Sequence, residues 1–159
     1  MNTSITADTS TEQNTALTGS GAPQRTLRSV LTTLNYGKIS EAVDQFDDDF
    51  TFTDRALGLE FTDKGRLRAF FQKSRELFPD TIVEVTSTFE CGDRVIAEWR
   101  LSATETAPHW IQPRVLISLP GISIVRIKDG RVTHWSDYYD EKTSRRVVLA
   151  SLFTEWGEY

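Results

Sequence analysis

Apolar residues along this chain pass from mostly helical to strand spacing at Pro79. Before it they recur at helical spacing. Leu27, Val30, Leu31 and Leu34 share one helical face, opened by Pro23, whose fixed backbone angle suits a first turn, and stopped by Gly37. Ile39, Ala42, Val43 and Phe46 repeat the pattern in a short second helix that runs into Asp47, Asp48 and Asp49, an acid run that reads as a solvated helix end and turn. Residues 50–54 then read as a short strand. With Thr62 or Asp63 as its cap, a third helix carries Leu67, Phe70, Phe71, Leu77 and Phe78 until Pro79 ends it.

Beyond Pro79 the texture turns β-branched and aromatic, which predicts strands over 81–89, 95–104, 114–119, 122–128 and 132–139. Gly92-Asp93 and Asp129-Gly130 read as hairpin turns, the second the stronger because Asp-Gly tolerates the positive backbone angles of a two-residue turn. Leu119-Pro120-Gly121 reads as an interruption with a bulge that bends the sheet. A last helix over 143–156 places Val148, Leu149, Leu152, Phe153 and Trp156 on one side. The pattern predicts an α+β fold: three N-terminal helices, one antiparallel sheet and a C-terminal helix. Residues 1–22, rich in Thr and Ser, offer too little apolar surface to offset the entropy of ordering and read as a disordered tail, leaving 23–159 as a single domain.

Composition removes several function classes. The 18 Lys and Arg are scattered against 23 Asp and Glu, for a net charge of -5, so the basic footprint of a nucleic-acid binder is missing. A single cysteine, Cys91, excludes an internal disulfide and a cysteine-rich zinc site, and fits a reducing compartment. The two histidines, His109 and His134, have no metal-ligand spacing. No signal-peptide pattern is present and no apolar run approaches the ~20 residues of a membrane span. These readings predict a soluble, cytoplasmic protein acting without metal or other cofactor, membrane or nucleic acid.

The candidate chemistry lies on the strand that comes after Asp129-Gly130. Side chains alternate there, so Thr133, Trp135, Asp137 and Tyr139 share one face while Val132, His134, Ser136 and Tyr138 share the other. A carboxylate in an aromatic wall is costly unless it is paired, hydrogen-bonded or protonated, and a pKa shifted in that way suits proton transfer near neutral pH. Solvation, or a bond to a neighbouring loop, remains the alternative for Asp137. His134 faces away from it. His109 and Trp110, between Pro108 and Pro113, read as a loop at a pocket mouth, either packed or acting as a lid. Cys91, beside a turn, has only Arg94 near enough in sequence to favour a thiolate and reads as inert.

Several segments carry a family likeness: Leu34-Asn35-Tyr36-Gly37, Ala42-Val43-Asp44-Gln45-Phe46, Asp48-Asp49-Phe50-Thr51-Phe52-Thr53-Asp54, and Asp129-Gly130-Arg131 with Trp135-Ser136-Asp137-Tyr138-Tyr139-Asp140. Together they resemble the SnoaL-like polyketide cyclase branch of the nuclear transport factor 2 superfamily. The resemblance implies a cone-shaped roll in which helices cap a strongly curved antiparallel sheet around a small-molecule pocket. It places Asp137 where SnoaL-like cyclases and limonene epoxide hydrolase carry a catalytic aspartate, and Trp135 at a pocket tryptophan of the hydrolase. Asp54 falls near the proton-abstracting aspartate of ketosteroid isomerase. The hydrolase's Arg-x-Asp pair would fall at Trp99-Arg100-Leu101 and the isomerase's oxyanion tyrosine near Val30, so neither of those two accessory sets is implied here.

The implied pocket is an apolar cone with Trp99, Leu101, Phe52, Trp135 and Tyr139 as substrate-binding walls and Asp137 and Asp54 as catalytic candidates. Aspartate-based proton transfer on an apolar carbonyl compound, of the cyclase, isomerase or lyase kind, is the expected activity. Trp135 N–H or the Tyr139 hydroxyl is the expected oxyanion donor. The alternative is a noncatalytic ligand-binding or protein-interaction domain of the same fold. Val115, Ile117, Val125 and Ile127 exceed what one cone needs to line, which predicts a homodimer through the outer face of the sheet.

Overall fold

The computed structural model describes residues 21–104 and 116–140. The tail expected over 1–22, apart from its last two positions, lies outside the described residues. So do the loop bearing His109 and Trp110, Val115, and the helix expected over 143–156.

Three helices, α1 (Ala22–Asn35), α2 (Ile39–Val43) and α3 (Lys64–Leu77), pack on one face of a six-stranded, curved and unclosed sheet. The strands are β1 (Phe46–Asp54), β2 (Leu59–Phe61), β3 (Ile82–Cys91), β4 (Arg94–Thr104), β5 (Leu116–Lys128) and β6 (Arg131–Tyr139), in the order β2-β1-β6-β5-β4-β3. Pro23 opens α1 and Gly37, at φ 72°, lies just past its end. The Asp63 carboxylate caps α3 by accepting from the Arg66 N–H at 2.8 Å. Asp129 (φ 51°) and Gly130 (φ 76°) supply the two positive angles of the expected β5–β6 hairpin. Leu27, Val30, Val43, Leu67, Val95 and Val125 are fully buried between the helices and the concave face. Among the described residues no helix is long and apolar enough to cross a membrane.

The structure corrects the sequence-based expectations in five places. First, the sheet is not wholly antiparallel, because β1 pairs with β6 in parallel. A parallel pair needs a crossover, and the chain from β2 through α3 and the β3–β5 meander provides it. Second, Asp47, Asp48 and Asp49 belong to β1 rather than to a helix end. Phe46 and Phe50 stay buried while Asp48 and Asp49 turn outward, because the β1–β6 register shifts between Phe46 and Thr51. Third, β2 was not anticipated, being three residues long with too little pattern to read.

Fourth, β5 runs unbroken through Pro120-Gly121, and its register with β4 does not shift there. The proline is tolerated because β6 ends at Tyr139, opposite Gly121, so beyond that point β5 has a partner on one side only. Gly121 serves close approach instead: a Cβ there would overlap the Trp99 ring. The irregularity sits at the other end, between Arg126 and Ile127 against β6, and it turns Val132 into the core against the simple alternation.

Fifth, Ile117, Val125 and Ile127 point into the concave face and are buried there, so they cannot form the outer surface assigned to them. The exposed row on the convex face is Ile96, Ile122, Ile124 and Tyr138.

Candidate active site

Between the helices and the concave face lies a cavity of about 210 Å³. Helix α1 contributes Val30, Leu31 and Leu34, and α3 contributes Phe70 and Phe71. From the sheet come Phe52 and Asp54 of β1, Trp99 and Leu101 of β4, and Trp135, Asp137 and Tyr139 of β6. All seven residues singled out from the sequence therefore border one space. Strand alternation brings Trp135, Asp137 and Tyr139 to it from β6, and the parallel register sets Asp54 opposite Asp137.

Asp137 is held at one end. Its Oδ1 accepts from the Ser123 hydroxyl at 2.5 Å and from the Trp135 indole N–H at 2.6 Å, and Ser123 Oγ in turn accepts from the Trp99 indole at 2.8 Å. Burial pushes the Asp137 carboxyl up to about 7; the bonds from Ser123 and Trp135 oppose the rise and the charge of Asp54 adds to it. Asp54 is buried, where Asp137 is half-buried. Its Oδ2 accepts from the Tyr139 hydroxyl at 2.7 Å and its Oδ1 from the Leu57 N–H at 2.9 Å. Burial raises its carboxyl above the ordinary range against those two bonds, and both burial and the neighbouring carboxylate raise the Tyr139 phenol.

The two donors expected to serve an oxyanion are thus already engaged, Trp135 by Asp137 and Tyr139 by Asp54. Arg75, the cation lining the cavity among the described residues, is also committed. Its guanidinium donates to the carbonyl oxygens of Leu34, Asn35, Pro79 and Thr81, tying the end of α1 to the turn between α3 and β3. Asn35 completes that corner by exchanging two 2.9 Å bonds with the Val83 backbone. Arg100 stands on the opposite face of β4, exposed, with its guanidinium on Ser118. Among the described residues no three His, Cys, Asp or Glu side chains converge on a metal position.

Sequence reasoning missed Ser123, which is 1% exposed. The signal was available. On the inward parity of β5, between Gly121 and Val125, it is the one hydroxyl in a row of aliphatic or small residues.

The profile of the SnoaL-like domain family matches residues 27–135, most of the chain and nearly all of the cavity wall. The protein belongs to the SnoaL-like family. No curated protein matches the chain. Solved structures similar to this SnoaL-like domain include TerC co-crystallised with polyporic acid, at 13% identity and a TM-score of 0.69 over 80% of this chain and 98% of that one. IdmH of Streptomyces antibioticus, provisionally named a polyketide cyclase, gives 18% and 0.67 over 78% and 96%. A protein of ketosteroid isomerase-like fold from Catenulispora acidiphila, in complex with trimethylamine, gives 17% and 0.65 over 83% and 92%. At these identities the likeness is one of fold: the SnoaL-like domain shares the nuclear transport factor 2 and ketosteroid isomerase architecture. The family suggests small-molecule chemistry without naming a substrate.

Proposed function

We propose that the protein is a proton-transfer enzyme of the cyclase or isomerase kind, with Asp137 as general base toward a small, neutral carbonyl compound. One observation carries this reading: among the described residues Asp137 is anchored through Oδ1 alone, while its carboxyl borders an apolar cavity with a pKa near 7. A base poised near the working pH is half ionised and still a useful proton acceptor. In the step proposed, Asp137 takes the proton from the carbon next to the carbonyl, the C–H pair becomes the new C=C bond, and the carbonyl oxygen takes the charge. Returning the proton to another carbon shifts a double bond; attack of the enolate carbon on a second carbonyl of the same molecule closes a ring.

The oxygen end requires a donor. Tyr139 needs only exchange its bond to Asp54 for one to the substrate, and we assign it that role, with Asp54 as the second carboxyl of the pair. Asp54 and Asp137 disfavour anionic substrates, since Arg75, the cavity-lining cation among the described residues, is already committed to four carbonyls. The cavity is small beside the ~300–1,000 Å³ typical of ligand pockets, which points to one- or two-ring compounds. The complexes of TerC with polyporic acid and of the Catenulispora protein with trimethylamine support small-molecule binding by proteins of this fold. The noncatalytic alternative has one observation in its favour, that both expected donors are already bonded.

The test is α-proton exchange of 2-tetralone in heavy water, monitored by NMR. The wild type is expected to accelerate exchange, and Asp137→Asn to lose about 100-fold or more of it. Binding of the ketone, read from Trp99 and Trp135 fluorescence, with no exchange would establish the binding-domain reading instead.

A further inference from the structure

A chain of hydrogen bonds runs from Trp99 through Ser123 to Asp137, and its indole links can only donate. An indole N–H donates and never accepts, so Trp99 must give its proton to Ser123 Oγ. A serine hydroxyl that receives there has one proton of its own to direct, and Asp137 Oδ1 lies 2.5 Å away. Trp135, again a donor only, occupies the same Oδ1 from the other side at 2.6 Å. An oxygen facing two donors cannot also carry a proton without setting hydrogen against hydrogen. With Ser123 and Trp135 both donating to Oδ1, Oδ2 is the oxygen left for the proton when Asp137 is protonated.

Packing secures the far end of the chain. Trp99 lies directly over Gly121, where any Cβ would overlap its ring, and its other side meets Tyr139 with ring centroids 6.1 Å apart. The indole is thereby held in the one orientation that reaches Ser123. Trp99 and Ser123 are both buried, at 6% and 1% exposure, so water does not readily replace either donor. Among the described residues the groups facing the carboxyl are then Ser123 of β5, Trp135 of its own strand, Asp54 of β1 and Tyr139, while Arg75 across the cavity is spent on four carbonyls.

We infer that Ser123, oriented by Trp99 over Gly121, is a positioning residue that confines the transferred proton to Oδ2 of Asp137. The inference rests on Asp137 being the base and adds how its two oxygens are made different. Deleting the serine hydroxyl frees a lone pair on Oδ1, removes a bond that favours the ionised form, and lets the proton occupy either oxygen.

The experiment titrates the wild type, Ser123→Ala and Trp99→Phe with ¹³C-labelled aspartate side chains, reading the Asp137 carboxyl carbon by NMR. The wild type is expected to titrate near neutrality. Ser123→Ala should move the midpoint upward by about one pH unit, and Trp99→Phe should move it the same way by less, since it removes only the orienting bond. The pH profile of 2-tetralone exchange should track these shifts. A wild type titrating near neutrality with both variants unmoved overturns the positioning role and leaves the base assignment standing. A wild-type Asp137 already ionised at pH 5 overturns both. If Ser123→Ala does not fold, Trp99→Phe alone decides: its midpoint rises or the role is lost.

Discussion

Asp54 and Asp137 are register partners across the only parallel pair of strands among the described residues, β1 and β6, so a buried carboxyl and a half-buried one stand one strand spacing apart, while Arg75, the cavity-lining cation among the described residues, is committed to backbone carbonyls. Neighbouring strands lie about 4.8 Å apart, close enough for each charge to resist the other. Burial first, and then the charge of Asp54, raise the Asp137 carboxyl, so the two sites titrate as a coupled pair.

The first consequence concerns stability. Because the folded pKa of Asp137, near 7, exceeds the unfolded value of about 3.9, its favourable contribution is fully present below the unfolded value and is lost as pH rises toward and through 7. Asp54, raised in the same direction, adds to the loss. Chemical denaturation from pH 4 to 8 should show the wild type weakening across the upper part of that range. Asp137→Asn should remove most of this slope and be the more stable protein at pH 8 by on the order of 1 kcal/mol. A wild type that gains stability over the same interval contradicts the assignment.

Tyr139 and Asp54 should prove coupled. Removing the hydroxyl with Tyr139→Phe leaves Asp54 Oδ2 without its donor, at a cost of about 1–3 kcal/mol. Asp54→Asn should cost less, since the amide oxygen can keep the Leu57 N–H while the amide NH2 donates to a rotated Tyr139 hydroxyl. A double-mutant cycle in urea is expected to give a coupling energy above about 0.5 kcal/mol, whereas additive effects would mean the bond contributes nothing net.

Arg75 makes a different prediction, about the cavity mouth. Lysine cannot span four carbonyls with one ammonium, so Arg75→Lys should lower stability by about 1–3 kcal/mol and loosen the junction of α1 with β3. Hydrogen exchange should quicken at Val83, whose N–H is held by the Asn35 side chain. Unchanged protection there would show that Asn35 holds the corner without help.

Self-association, if it uses the sheet, must use the convex row now exposed. Ile122 and Ile124 stand beside Ile96 and Tyr138, a patch of the kind that ordinarily finds cover. We expect light scattering at micromolar concentration to report a dimer, and Ile124→Glu to yield a monomer of about 18 kDa with its fold intact. A wild-type monomer ends this expectation.

The range of the forces involved decides how much of this was legible beforehand. The helical faces of α1 and α3, the Asp63 cap and the Asp129-Gly130 turn are local, decided by residues within a few positions of each other, and the sequence by itself determined them. Alternation on β6 was enough to put Trp135, Asp137 and Tyr139 on one face, and the family likeness supplied the cone around them. Only the tertiary structure decided the parallel β1–β6 register that sets Asp54 against Asp137, the passage of β5 through Pro120, and the inward turn of Ile117, Val125 and Ile127. The same holds for Ser123, whose meaning depends on Trp99 in one neighbouring strand and Asp137 in the other. Those relationships join residues far apart in the chain, through pairing and bulges that shift faces by one residue, and a pattern read along a single strand carries no information about which residue lies across from it.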